Sequence, residues 1–109
     1  MSLSCYLIIY VPEDSLESVK KAIFVQKAGR IGCYECCAWQ TQGQGQFLPL
    51  DGAKPSRGQI NQIEKLNEWK LEVVVEKKYL NRVIKALKEA HPFETPVYHI
   101  LERVDENEF

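Results

Sequence analysis

The chain has 109 residues, 45 % apolar and 27 % charged, with a net charge of −1. That is the balance of one ordinary globular domain, with no long-range pull towards nucleic acid or an anionic membrane. No run approaches the roughly eighteen apolar residues of a membrane span, and the N-terminal residues lack the basic-then-apolar pattern of a secretory leader.

Cytoplasmic residence is therefore the expectation. The four cysteines fit it, because Cys36 and Cys37 are adjacent and their spacing does not resemble a secreted disulfide framework. Basic clusters such as Lys20 with Lys21, and Lys77 with Lys78, read as solvated faces.

In chain order, residues 4–11 read as a strand apolar on both sides: Cys5, Leu7, Ile9 and Val11 on one, Tyr6, Ile8 and Tyr10 on the other. Pro12 ends it. Asp14 three residues before Glu17 resembles a capping box, and Leu16, Val19, Ile23 and Phe24 at helical spacing predict a helix over 15–27, stopped by Gly29. A second strand is expected over 31–41. Gln42 to Gln46, with Gly43 and Gly45, reads as a hairpin tip, followed by a short return strand at 47–50 and an exposed loop over 51–58. Residues 64–76 form the third strand, 78–90 an amphipathic helix with Leu80, Val83, Ile84 and Leu87 as its stripe, and 96–104 the last strand. Residues 105–109 are an acidic tail expected to fray.

Two strand-helix-strand halves predict an α+β, ferredoxin-like fold: one antiparallel sheet, both helices on one face, one domain over 1–109. The helix-free face would then display Tyr6, Ile8, Tyr10 and Leu101, more apolar surface than a lone subunit leaves open, so a homo-oligomer is expected. The competing expectation is that the 51–58 loop folds back over that face.

The densest functional signal is His91-Pro92-Phe93-Glu94-Thr95-Pro96, a two-proline corner between a helix and a strand. Together with Gly29–Cys37 and Gly43–Phe47 it marks the candidate site. His91 would be a ligand or hydrogen-bond donor, Glu94 its acidic partner, and Tyr34 and Phe93 the pocket walls. For a metal, the candidate ligands are His91, Glu94 and Cys37, with zinc or copper as the ion. One CxxC pair, Cys33 to Cys36, falls short of the usual four-ligand zinc set; on a strand, Cys33 and Cys37 face one side and Cys36 the other. A thiol hydrolase using Cys37 and His91 is a second class of function, and a structural partner-binding module a third. Gly29-x-x-Gly32 and Gly43-x-Gly45 lack the strand-to-helix setting of phosphate loops, and Glu64, Glu68 and Glu72 read as a solvated rim.

Four ordered motifs carry a family resemblance: Ala28-Gly29-Arg30-Ile31-Gly32-x-Tyr34-x-x-Cys37; Thr41-x-Gly43-x-Gly45-x-Phe47-x-Pro49; Leu50-x-Gly52-Ala53-x-Pro55; and Glu89-Ala90-His91-Pro92-Phe93-Glu94-x-Pro96-x-Tyr98. Together they resemble the inserted domain of the Nif-three-like (NGG-interacting-factor-three, YqfO) family over essentially the whole chain. The last motif is also similar to the C-terminal motif of CutA proteins. The resemblance implies a CutA/PII-like domain and favours a trimer, with a dimer left open, but supplies no function for the insert; the leading expectation is a non-enzymatic domain that binds a small molecule or metal at subunit interfaces or regulates a protein partner. The resemblance also implies that an insert alone lacks the dinuclear metal site of the family's flanking domain and any hydrolysis tied to it. Cys33 and Cys36 stand where Asn and His are commoner in the family, which leaves room for a locally acquired thiol site.

Overall fold

The computed structural model describes residues 3–109, apart from the side chain of residue 106. Four strands and two helices follow the expected order: β1 (Ser4–Pro12), α1 (Leu16–Val25), β2 (Trp39–Phe47), β3 (Glu64–Glu76), α2 (Lys77–Ala90) and β4 (Tyr98–Glu102). The sheet is antiparallel in the order β2-β3-β1-β4. The two longest apolar strands thus occupy the centre, and the polar β2 and short β4 form the edges.

Period-2 patterning decides which face holds the core. Cys5, Leu7, Ile9 and Val11 of β1 and Leu71, Val73 and Val75 of β3 point to one side, and all are buried. They pack against Leu16, Val19 and Ile23 of α1 and Val83 and Leu87 of α2. Side-chain burial of this kind contributes roughly 1.5–3 kcal/mol per large apolar residue relative to exposure, so this single layer contact dominates the stability. The opposite face carries Tyr6, Ile8 and Tyr10 beside Val74 and Lys70, and Leu101 and His99 beside Tyr6 and Ile8.

Several boundaries differ from the sequence reading, each for a local reason. The capping box does not form: the α1 N-cap makes no side-chain hydrogen bond, a 3-10 turn (Glu13–Ser15) leads into the helix, and Asp14 pairs instead with Arg57 at 2.5 Å. The second strand is displaced by eight residues, to begin at Trp39. Ile31 and Tyr34 close a tight turn on each other through two backbone hydrogen bonds of 3.0 and 2.9 Å, and Cys36 sits at a φ of 59°. Residues 31–38 therefore leave the sheet, and the expected opposed faces of Cys33, Cys36 and Cys37 do not exist. Gly43 and Gly45 lie inside β2 rather than at a hairpin tip. Glycines in a strand often mark a close approach by something else; Gly45 has one, from Glu68, whereas a Cβ on Gly43 would meet nothing within 4 Å. β4 is shorter than expected, starting at Tyr98 instead of residue 96, and Glu106–Glu108 close a short 3-10 turn.

Gly29 fastens the irregular segment to the sheet. Its N–H donates to the Val74 carbonyl at 2.8 Å and its carbonyl accepts from Cys37 N–H at 2.9 Å. Its φ is +77°, and a Cβ there would stand 2.6 Å from the Cys37 carbonyl oxygen. Gly29→Ala is expected to lower stability by more than about 1 kcal/mol, read as a lower urea midpoint at unchanged slope. An unchanged midpoint would show that the segment is not held this way.

Candidate functional site

The corner found in the sequence is built as the prolines require. α2 ends at Ala90, and His91, preceding Pro92, is extended at φ −74° and ψ 134°. The turn swings the imidazole inward until only 5 % of the residue remains exposed. Its Nε2 lies 2.8 Å from the Tyr10 carbonyl oxygen, and its Nδ1 accepts the Phe93 N–H at 3.1 Å. A ring that accepts at Nδ1 and faces a carbonyl at Nε2 is the neutral Nε2–H tautomer. Burial pushes the His91 pKa below its ordinary value, partly opposed by the hydrogen bond to Tyr10.

Phe93 is held between two rings, with its centroid 5.0 Å from that of His91 and 6.0 Å from that of Phe47. Phe47 comes from the end of β2, whose sequence alternates strictly. Gln40, Gln42, Gln44 and Gln46 point to the helix side, and Trp39, Thr41, Gly43, Gly45 and Phe47 point to the open side. The result is a groove of about 780 Å³ on the open face, with Gly43 and Gly45 as a floor without side chains, Phe47, Phe93 and Tyr10 among its walls, and Glu68, Lys70, Glu94 and Arg57 as its charges.

A long connection between β2 and β3 forms the far wall and is tied down at two points. Lys54 N–H donates to a Glu94 carboxylate oxygen at 3.1 Å, and Arg57 pairs with Asp14. Pro49 is buried at its root, and Leu66, on the open face of β3, is only 7 % exposed. The loop therefore walls the groove at one end of the open face. The rest stays uncovered in one chain, with Trp39 67 % and Leu101 51 % exposed.

Glu68 is the residue the sequence reading missed. It belongs to the series Glu64, Glu68 and Glu72, which reads as a solvated rim, but its carboxylate folds across β2. A Cβ on Gly45 would stand 1.4 Å from its Oε1, so the glycine vacates the space that the carboxylate occupies. Half-burial raises the Glu68 pKa above the ordinary carboxyl range. The signal that could have found it was the pair of glycines in an otherwise regular alternation.

The expected site residues separate into two groups. Phe93 and Glu94 line the groove, with His91 beneath them as the bracket that holds Phe93. Tyr34 and Cys37 lie elsewhere: the Gly29–Cys37 segment hangs on Val74, opposite Tyr6, whereas His91 hangs on Tyr10. Four residues along a strand is roughly 13 Å. The ligand set of His91, Glu94 and Cys37 therefore does not converge within one chain, and among the described residues no group of three or more His, Cys, Asp and Glu is placed to hold a metal. The same separation keeps Cys37 and His91 out of the hydrogen-bond reach that a thiol hydrolase needs. Cys36 borders a different hollow, beside Lys20, Lys21 and Lys27.

The His91 geometry has a pH consequence. A folded-state pKa below the unfolded value of about 6.5 means that His91 contributes stability at pH above that value, which is lost as pH falls through the folded-state value. His91→Leu removes both the donor to the Tyr10 carbonyl and the acceptor for Phe93 N–H, so it is expected to cost about 1–3 kcal/mol at neutral pH. It should also flatten the fall in stability between pH 7 and pH 5. Urea denaturation across that range checks both; identical pH profiles for the two proteins would remove the imidazole from this role.

No family model matches the chain. It is 41 % identical over 93 residues to the GTP cyclohydrolase 1 type 2 homolog of Mycobacterium bovis, a match spanning 85 % of this chain and 24 % of that protein. The chain thus spans about a quarter of the length of the curated relatives it matches. Among solved structures, a Bacillus cereus protein related to NIF3 superposes with a TM-score of 0.82 at 29 % identity, over 95 % of this chain and 26 % of the other. The divalent cation tolerance protein CutA of Archaeoglobus fulgidus superposes with a TM-score of 0.65 at 18 % identity, over 95 % and 89 %, which shows a shared fold. By sequence the chain is similar to one segment of these longer proteins, about a quarter of their length, and it shares its fold with CutA.

Proposed function

We propose that this is a non-enzymatic, CutA/PII-like binding domain that takes a small ligand in the groove between β2, the β2–β3 connection and the His91–Glu94 corner, and through it regulates a partner. The observation that carries the reading is the groove itself: about 780 Å³, walled by aromatic rings, floored by glycines and braced by a buried histidine. Ligand sites are concave, mostly apolar, and carry a few convergent polar groups. The two side chains that would fill the floor of such a hollow are absent here by sequence, since Gly43 and Gly45 occupy those positions.

The test is a calorimetric and thermal-shift screen of metabolites and nucleotides on native protein and Phe93→Ala. Because CutA relatives are named for divalent cation tolerance, zinc and copper belong in the same screen. A ligand that stabilises the native protein and loses at least about tenfold in affinity, or roughly 1.4 kcal/mol, in Phe93→Ala supports the groove. Equal responses from the two proteins contradict it.

The same reading places the site at a contact between copies. Trp39, Tyr6, Ile8 and Leu101 share the open face with the groove, and their apolar surface is what a second and third copy would shelter. Light scattering is expected to give the mass of an oligomer, a trimer in preference to a dimer, and Leu101→Lys is expected to shift it towards the single chain. A native protein that remains a single chain at tens of micromolar would remove the shared contact while leaving the groove.

A further inference from the structure

The charges that line the groove are not equally provided for. Arg57 is paired with Asp14. Lys70 Nζ lies 4.0 Å from Glu72. Glu94 accepts the Lys54 N–H. Glu68 has no ion pair and no hydrogen bond among the described residues, although it is half-buried against the glycine floor beside Phe47. The charge left unanswered in this groove is therefore negative, and it sits among apolar walls where a partner gains most.

We propose that the groove is selective for ligands that combine a flat apolar ring with a cationic or hydrogen-bond-donating nitrogen. The ring lies against Phe47 and Phe93, and the nitrogen meets the Glu68 carboxylate over Gly45. This rests on the reading of the groove as a ligand site and adds the chemical class of what it takes. Three features agree on it. The carboxylate lies over the floor rather than at the rim, so a nitrogen reaching it brings its ring against the open side of the packed Phe47–Phe93 pair. Burial has already raised the cost of leaving Glu68 ionised alone, and an incoming cation removes that cost. Gly45 keeps the space open, because any side chain there would occupy the place of the carboxylate.

The test holds the ring constant and varies the charge. Tryptamine, 3-ethylindole and indole-3-propionate share an indole and a short chain but are cationic, neutral and anionic at pH 7. Each is titrated into the full-length, 15N-labelled chain, and the amide shifts of Gly43, Gly45, Phe47 and Phe93 are followed. The expected order is tryptamine tightest, by about tenfold over 3-ethylindole, and indole-3-propionate weakest. Glu68→Gln should abolish the preference while retaining the 3-ethylindole response. Gly45→Val should displace the carboxylate and weaken tryptamine. Equal affinities for tryptamine and 3-ethylindole, or tightest binding by indole-3-propionate through Lys70, would overturn the assigned ligand class and leave the groove as a site. No shift at these amides with any of the three would overturn both.

Discussion

The arrangement depends on one uncharged imidazole. Just beyond the last β1–β4 pair, Ile9 with Tyr98, the Tyr10 N–H donates to the Val97 carbonyl at 3.2 Å, and the Tyr10 carbonyl takes its hydrogen bond from His91. The same ring accepts the Phe93 N–H. One side chain thus joins the end of α2, the central strand and the corner that leads into β4. An unpaired carbonyl or amide at that depth would cost more than an ordinary hydrogen bond returns, so the corner has a single low-energy arrangement. That arrangement aims Phe93 at Phe47 and Glu94 at the backbone of the covering loop. The histidine acts by positioning the groove; the groove's own polar chemistry belongs to other residues.

Glu68 shows the reverse economy. A carboxylate pressed against a strand, with no ion pair or hydrogen bond among the described residues and its pKa raised by burial, is held ionised at neutral pH against the cost of its desolvation. Groups held at a cost to stability are concentrated at binding sites. The fold tolerates this one because the helix-side core is separate from it. Cys5 to Val11, Leu71 to Val75 and the two helices supply the stability from the other face, and the open face is left to carry grooves and contacts.

The architecture was largely legible in the sequence because its main elements carry strong periodic signals. β3 has the expected bounds, and α2 begins one residue earlier than its amphipathic stripe predicts. What misled was local. The apolar and cysteine-rich residues 31–38 have strand-like composition, but the turn closed by Ile31 and Tyr34 and the positive φ of Cys36 remove them from the ladder. The Gln and Gly residues that have turn-like composition form the edge strand, since an edge needs no apolar face. The corner was visible because two prolines announce it, yet the role of His91 was not: a buried bracket and an exposed ligand are written with the same letter. Bringing Glu68 over Gly45 required the β2–β3 register, in which Gly43 rather than Gly45 stands opposite Glu68.

Homology to one segment of the GTP cyclohydrolase 1 type 2 homologues and the fold shared with CutA agree with this architecture, and the groove's polar groups are this chain's own Glu68, Lys70, Glu94 and Arg57. The shape of the groove rests on the state of His91, and 15N-detected histidine NMR tests it directly. The account predicts a neutral ring at pH 7 with the proton on Nε2, Nδ1 shifted as a hydrogen-bond acceptor, and a titration midpoint below the usual value of about 6.5. A proton on Nδ1, or a midpoint at or above that value, would contradict it.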